Sequence, residues 1–322
     1  CVPDEDMTPS CAVPPPPLSI TPSNTRIYIM IKHLTRLTRP YQWVKNLFVF
    51  LPVFFGGAIT DSLSLWHAAI AFMAYSLTAS AIYCYNDIVD VEDDRRHAVK
   101  CHRPIASGAV SIKAGYLLMA LLLLLSAVTI SLLGDKWMPL AAVMAVYFLM
   151  DIAYCHILKR FAIIDIVILS FGFVLRILAG SVSTGITASH WLVLMTFLLT
   201  MLLGFAKRRD DVNRFMKTGM PPRHNTKRYN LTFINQAITV TSSVTVVCYI
   251  MYTLSPEVTA RSGCQYLYLT TILVILGLLR YMQLTSVDEK GGDPARLLLS
   301  DHFLQAVIAL WILSYYVVLY VL

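Results

Sequence analysis

Nine apolar runs dominate the chain, at roughly 43–59, 64–86, 114–133, 137–154, 163–182, 190–207, 231–254, 266–284 and 303–322. Each is near the ~20 residues an α-helix needs to cross a bilayer. Runs of that length leave few folds open, because in lipid every backbone N–H and C=O must be satisfied within its own segment. The fold class expected is therefore all-α and integral to the membrane, a bundle of nine transmembrane helices. The composition agrees: 57% of residues are hydrophobic and 14% charged, too little polar surface to cover a chain of this size in water. The first run is the shortest and carries Pro52, which favours a kink.

The loops divide sharply by charge. Of the 26 Lys and Arg residues, 23 fall before or at the start of the first run, or near or after the ends of the second, fourth, sixth and eighth. The opposite loops hold only Lys136 and Arg261, and Arg176 lies inside the fifth run. A missed helix would scramble this alternation. The N-terminus is expected on the cytoplasmic side and the C-terminus on the other, with the chemistry on the cytoplasmic face. The net charge of +7 then reflects loop topology and contact with anionic lipid or phosphate, and no nucleic-acid partner is expected. Seven cysteines without a CxxC pair point to neither a disulfide framework nor a zinc site. Residues 1–29 are polar and Pro-rich, with no signal-peptide core. They are expected to be a disordered tail or to lie upstream of the true start, for which Met30 is the candidate. Residues 30–322 form a single domain. Two cytoplasmic loops, 87–113 and 208–230, are long enough to act as lids.

The second run closes on Asn86-Asp87-Ile88-Val89-Asp90-Val91-Glu92-Asp93-Asp94. At about 100° per residue, Asn86, Asp87, Asp90, Asp93 and Asp94 share a helix face and Glu92 points away. Carboxylates crowded at a membrane boundary repel one another, and a divalent cation removes that cost. All-oxygen ligands suit Mg2+, with Mn2+ as a substitute, and Mg2+ favours sharing its shell with substrate phosphates. Asp87, Asp90 and Asp94 are thus the expected metal ligands and catalytic residues, with Asn86 beside them. Basic residues follow at once, including Lys100 and Arg103, as a site for free phosphate oxygens would need.

Four further groups stand out. Gln42, Lys45 and Asn46 open the first run with three- and four-residue spacing, a shared helix face. Arg176 lies deep in an apolar run, where an arginine is costly and faces a cavity or partner, and Asp165 is about three turns earlier on nearly the same face. Lys207 and Asp211 share a face at the end of the sixth run, with Arg208 between them. Tyr154 and Lys159 close the fourth. The bland alternatives are snorkelling lysines, a structural ion pair around Arg176 and ordinary helix-end charges.

The pattern Asn86-Asp87-x-x-Asp90-x-x-x-Asp94 resembles the first aspartate-rich motif of the UbiA-type intramembrane prenyltransferases. Within that superfamily one branch fits best, the polyprenyl-phosphate (decaprenyl-phosphate) phosphoribosyltransferases. The matching residues are Arg39-Pro40-Tyr41-Gln42-Trp43-Val44-Lys45-Asn46, Asp94-Arg95-x-His97-x-x-Lys100-x-x-Arg103-Pro104-Ile105-Ala106-x-Gly108, Gly172-Phe173-Val174-Leu175-Arg176 and Lys207-Arg208. The resemblance implies Mg2+-dependent transfer of 5-phosphoribose from phosphoribosyl pyrophosphate to a polyprenyl phosphate, in a bacterial plasma membrane. It also implies a UbiA-like bundle with its active site on the cytoplasmic side. Lys207-Arg208-Arg209-Asp210-Asp211 stands where many members carry a second DxxxD, and the extra bases suit a donor bearing a ribose phosphate as well as a diphosphate. The rival readings are an aromatic prenyltransferase using polyprenyl diphosphate, a transporter and a structural subunit. Intramembrane polar residues crowd one face and line no path across, which argues against transport.

Overall fold

A computed structural model of the chain describes residues 23–97, 99–218, 228–263, 266–289, 297 and 300–320. Helices α1 (Ser23–Thr38), α2 (Leu51–Phe55), α3 (Ser62–Val89), α4 (Val91–Arg95), α5 (Ile112–Ser131) and α6 (Trp137–His156) are followed by α7 (Ile164–Thr184) and α8 (His190–Thr218). Then come α9 (Leu231–Thr253), α10 (Pro256–Ser262), α11 (Thr271–Ser286) and α12 (His302–Tyr320). A 3-10 helix, Pro40–Phe50, leads into α2. Most of the proposed tail lies outside the described residues, but helix α1 begins at Ser23, before Met30.

Among the described residues seven segments are long and apolar enough to cross a membrane: α3, α5, the stretch Gly134–His156, α7, His190–Lys217, α9 and Leu267–Ser286. Each coincides with an expected run. The first and last runs fall short of that measure among the described residues. The last forms α12, whose apolar stretch is His302–Val318. The first is split between the 3-10 helix and α2, because Pro52 has no N–H to extend one continuous α-helix back into the segment.

Two compact units emerge, Cys1–Leu47 with Ala69–His156, and Phe48–Ala68 with Ile157–Leu322. The first is organised by α3, 67% of whose apolar window is buried, against 22% for α5 and for Gly134–His156. Small residues on α3 (Ala74, Ser76, Thr78, Ser80, Ala81) let neighbours approach. Their hydroxyls then serve as bonding points. Thr78 and Ser126 are 2.9 Å apart, Asn46 donates to Ser76 at 2.9 Å, and Trp43 Nε1 donates to Ser80 at 3.0 Å. Leu37, Ala81, Cys84, Ile88, Val91, Ile105, Val110 and Leu122 form the adjoining apolar core. In the second unit Phe55, Ile177, Leu192, Tyr252 and Tyr315 pack together, and Ile166, Leu202, Phe205, Ile234 and Leu284 form a second cluster. Gly180 permits the closest approach: a Cβ there would sit 1.9 Å from the Val49 carbonyl oxygen.

The loop expected at 208–230 begins later than the sequence suggests. Helix α8 runs on to Thr218, so Arg208 to Lys217 ride on helix, and residues 219–227 lie outside the described residues. The 87–113 segment carries α4 and the 3-10 turn Lys100–His102, and residue 98 lies outside the described residues.

Candidate active site

The acidic motif sits in the first unit, where α3 ends at Val89 and α4 begins at Val91. The helical bonds continue through the junction: Asp90 N donates to Asn86 O at 2.9 Å and Asp94 N to Asp90 O at 2.8 Å. Asp87 and Asp94 are therefore carried on nearly the same face, and both are buried, at 2% and 1% exposure. Asp90 is half-buried, while Asp93 and Glu92 are exposed. Asp93 thus leaves the carboxylate face on which helical spacing puts it. Among the described residues no three Asp, Glu, His or Cys groups converge as a metal cage; the two carboxylates brought together are Asp87 and Asp94.

Three cations surround that pair. Arg103 Nη1 lies 3.1 Å from Asp87 Oδ1 and 2.6 Å from Asp94 Oδ2, so one nitrogen bridges both acids. Arg39 Nη2 reaches Asp87 Oδ1 at 2.5 Å, and Lys100 Nζ stands 3.4 Å from Asp94 Oδ1. That Asp94 oxygen is buried and accepts no hydrogen bond among the described residues. Arg103 is aimed by its own loop. It follows the turn Lys100–His102, its N–H bonds Lys100 O at 2.9 Å, and the side chains of Ile105 and Val110 anchor the loop in the core. Arg39 adopts φ 50° ahead of Pro40, which turns the chain out of α1, and its guanidinium lies 5.1 Å from the Tyr83 ring centroid.

The second unit holds a different cluster. Asp165, fully buried at the start of α7, accepts Arg208 Nε at 2.8 Å and pairs with Arg208 Nη2 at 2.6 Å. Tyr229 donates its hydroxyl to Asp165 Oδ1 at 3.1 Å and accepts the Ile163 N–H at 2.5 Å. That bond supports Ile163 at φ 71°, a conformation costly for a β-branched residue. Burial, with the Asp165 charge beside it, pushes the Tyr229 phenol up to about 12. Arg208 Nη1 also reaches Asp211 at 3.0 Å.

The sequence model of the UbiA prenyltransferase family matches residues 49–310, most of the chain. The chain belongs to this family. The decaprenyl-phosphate phosphoribosyltransferase of Corynebacterium glutamicum is 31% identical over 295 residues, covering 91% of this chain and 87% of that protein. The protein of the same name from Mycobacterium tuberculosis is 32% identical over 293 residues, covering 88% of this chain and 93% of the relative. A solved UbiA homolog from Archaeoglobus fulgidus, bound to GPP and Mg2+, shares the fold with a TM-score of 0.65 at 19% identity, covering 89% of this chain and 99% of its own.

Within this UbiA chain the remaining expected residues scatter. Gln42, Lys45 and Asn46 do not share one face, because a 3-10 helix turns every three residues and separates position i+4 from i and i+3. Asn46 is buried on Ser76, Lys45 is exposed, and Gln42 is half-buried with an amide oxygen that accepts no hydrogen bond among the described residues. Asn86 Oδ1 accepts from the Cys155 thiol at 3.4 Å. Tyr154 and Lys159 are half-buried, and Lys207 is exposed. Arg176 does not lock Asp165: eleven residues of helix separate them by about 16 Å, and Arg208 fills that role. Arg176 instead donates to Gly172 O at 2.7 Å and lies 5.0 Å from the Phe173 ring centroid. Spacing did not single out Arg39 or Tyr229. Arg39 had a signal, its place in the Arg-Pro-Tyr-Gln-Trp motif; Tyr229 had none.

Proposed function

We propose that this protein transfers 5-phosphoribose from phosphoribosyl pyrophosphate to a polyprenyl phosphate, releasing pyrophosphate, with Mg2+ as cofactor and Mn2+ as substitute. The observation that carries the reading is the surplus of bases around two buried carboxylates. Arg39, Lys100 and Arg103 meet Asp87 and Asp94, a set that suits a metal together with a phosphate-rich donor. The names of the relatives above support the same transfer.

The residues fit a magnesium ion. Arg103 Nη1 contacts both Asp87 and Asp94, so the two carboxylates face a common point, and Asp94 Oδ1 is a buried acceptor without a hydrogen bond among the described residues. Mg2+ is commonly held by one or two carboxylates plus substrate phosphates, and so needs no larger cage. Asp87 and Asp94 would hold it, with Asp90 one turn away. When bound it offsets the charge that builds on the departing pyrophosphate. Arg39, Lys100 and Arg103 then bind the remaining phosphate oxygens, and Asn86 and Gln42 orient the donor through their amides. The ribose C1 passes through an oxocarbenium-like state, as in glycosyl transfer generally. The acceptor phosphate is ionised at neutral pH, so no general base is required, and positioning supplies most of the acceleration. We keep Lys45, Tyr154, Lys159, Arg176 and Lys207 as further substrate contacts. Arg208 and Asp211 act through the Asp165 cluster.

We further propose that nine segments cross the bilayer, with the N-terminus and the active site on the cytoplasmic side of a bacterial plasma membrane. The deciding experiment gives purified protein Mg2+ with phosphoribosyl pyrophosphate and polyprenyl phosphate in one reaction, and polyprenyl diphosphate with 4-hydroxybenzoate in another. An EDTA-sensitive phosphoribosylated lipid is expected. A prenylated aromatic product alone would refute the assignment.

A further inference from the structure

We infer that Arg103, assisted by Arg39, is a built-in stand-in for the divalent cation. It neutralises Asp87 and Asp94 until metal and donor arrive together, then moves onto the donor's phosphate oxygens. The inference rests on the metal site proposed above and adds the order in which that site fills.

Three observations carry it. The first is position. Arg103 Nη1 bridges the two carboxylates, 3.1 Å from one and 2.6 Å from the other, which is where a shared cation would stand. The second is the asymmetry of burial. The acids are 2% and 1% exposed, whereas the side chains of Arg39, Arg103 and Lys100 are 18%, 25% and 27% exposed. The acids are fixed in the protein and the bases have room to move outward. The third is charge. Three bases against Asp87, Asp94 and the half-buried Asp90 leave the cluster near neutrality. A divalent ion entering alone would leave two uncompensated positive charges in a partly desolvated site, which is costly. A divalent ion entering with a diphosphate brings its own anion, and the displaced arginines gain phosphate partners suited to their planar forks. Metal and diphosphate must then bind with strong positive coupling, each tightening the other by the same factor.

The counter-intuitive consequence is that removing a positive charge should strengthen binding of a free cation, by ending an internal competition. The test uses Mn2+ binding followed by electron paramagnetic resonance, on full-length protein in nanodiscs, with inorganic pyrophosphate as the anion probe. Wild-type protein should bind Mn2+ at least about tenfold tighter with pyrophosphate than without. Arg103→Gln should bind Mn2+ alone roughly five- to tenfold tighter than wild type and lose most of the pyrophosphate enhancement. Arg103→Lys, which keeps the charge, should stay near wild type. Arg39→Gln should repeat the effect more weakly, and it decides the question if Arg103→Gln does not fold. Unchanged or weaker Mn2+ binding in both glutamine variants would overturn the exchange. Absence of Mn2+ binding to wild type even with pyrophosphate would instead overturn the metal site itself, so the two failures are distinguishable.

Discussion

Asp87 and Asp165 are both buried carboxylates held by arginine, yet their surroundings differ in what can reach them. Around Asp87 the arginines keep a quarter or nearly a fifth of their side chains exposed, and one bond to Arg103 is a 3.1 Å contact shared with a second acid. Around Asp165 the arginine is 3% exposed, and a tyrosine hydroxyl occupies the other carboxylate oxygen. The same pair of residue types thus makes an exchangeable cluster in one unit and a locked one in the other. What separates them is the partners' access to water, since a buried ion pair is costly to open and an exposed one is not.

The largest expected effect tests the exchangeable side. Asp94→Asn should lower turnover by about a thousandfold, the scale for losing the group that positions charge in the transition state, while the protein stays folded and monodisperse in detergent. Loss of folded protein would show that this cluster is as structural as the other. On the locked side, Arg208→Met leaves Asp165 as an uncompensated buried charge and should cost about 3–5 kcal/mol of stability. This is readable as a lowered unfolding midpoint before any kinetic assay. Replacing both partners, Asp165→Leu with Arg208→Met, should recover much of that loss; if it does not, the pair has a role beyond holding α7 to α8. Tyr229→Phe is a smaller change. It removes one hydrogen bond to a charged group and the support under Ile163, for about 1.5–3 kcal/mol. The subtlest effect is at high pH. Because the Tyr229 phenol is raised from its ordinary 10 to about 12, the folded state holds that proton longer than the unfolded chain does. Its contribution is complete below pH 10 and disappears as pH climbs through about 12. Alkaline unfolding midpoints of wild type and Tyr229→Phe should converge across that window; parallel curves would show that the phenol does not titrate there.

Much of the fold was legible before any coordinates. The run at 114–133 became α5 at Ile112–Ser131, and the run at 231–254 became α9 at Leu231–Thr253. The acidic motif was also legible, because Asp87 and Asp94 are seven residues apart, two helical turns, and their shared face needs only local geometry. The Gln42–Lys45–Asn46 face was not, because nothing local distinguishes a 3-10 helix from an α-helix in a segment whose geometry is set by its neighbours. The start of the loop after the sixth run was misplaced for a related reason. Charged residues from Lys207 to Lys217 end the apolar run, and a helix can continue past the end of its apolar stretch.

The division between what the chain carries locally and what only its folding decides follows the range of the interactions. The position of the long apolar helices, the loop-charge asymmetry and the shared face of Asp87 and Asp94 depend on residues within a turn or two, and on the length a helix needs to cross lipid. The pairing of Arg39 with Asp87 and of Tyr229 with Asp165 joins residues 48 and 64 positions apart. Which base neutralises which acid, and whether that base can leave it, depends on how the helices pack and how deeply they shield each pair from water. No periodicity in the sequence records either.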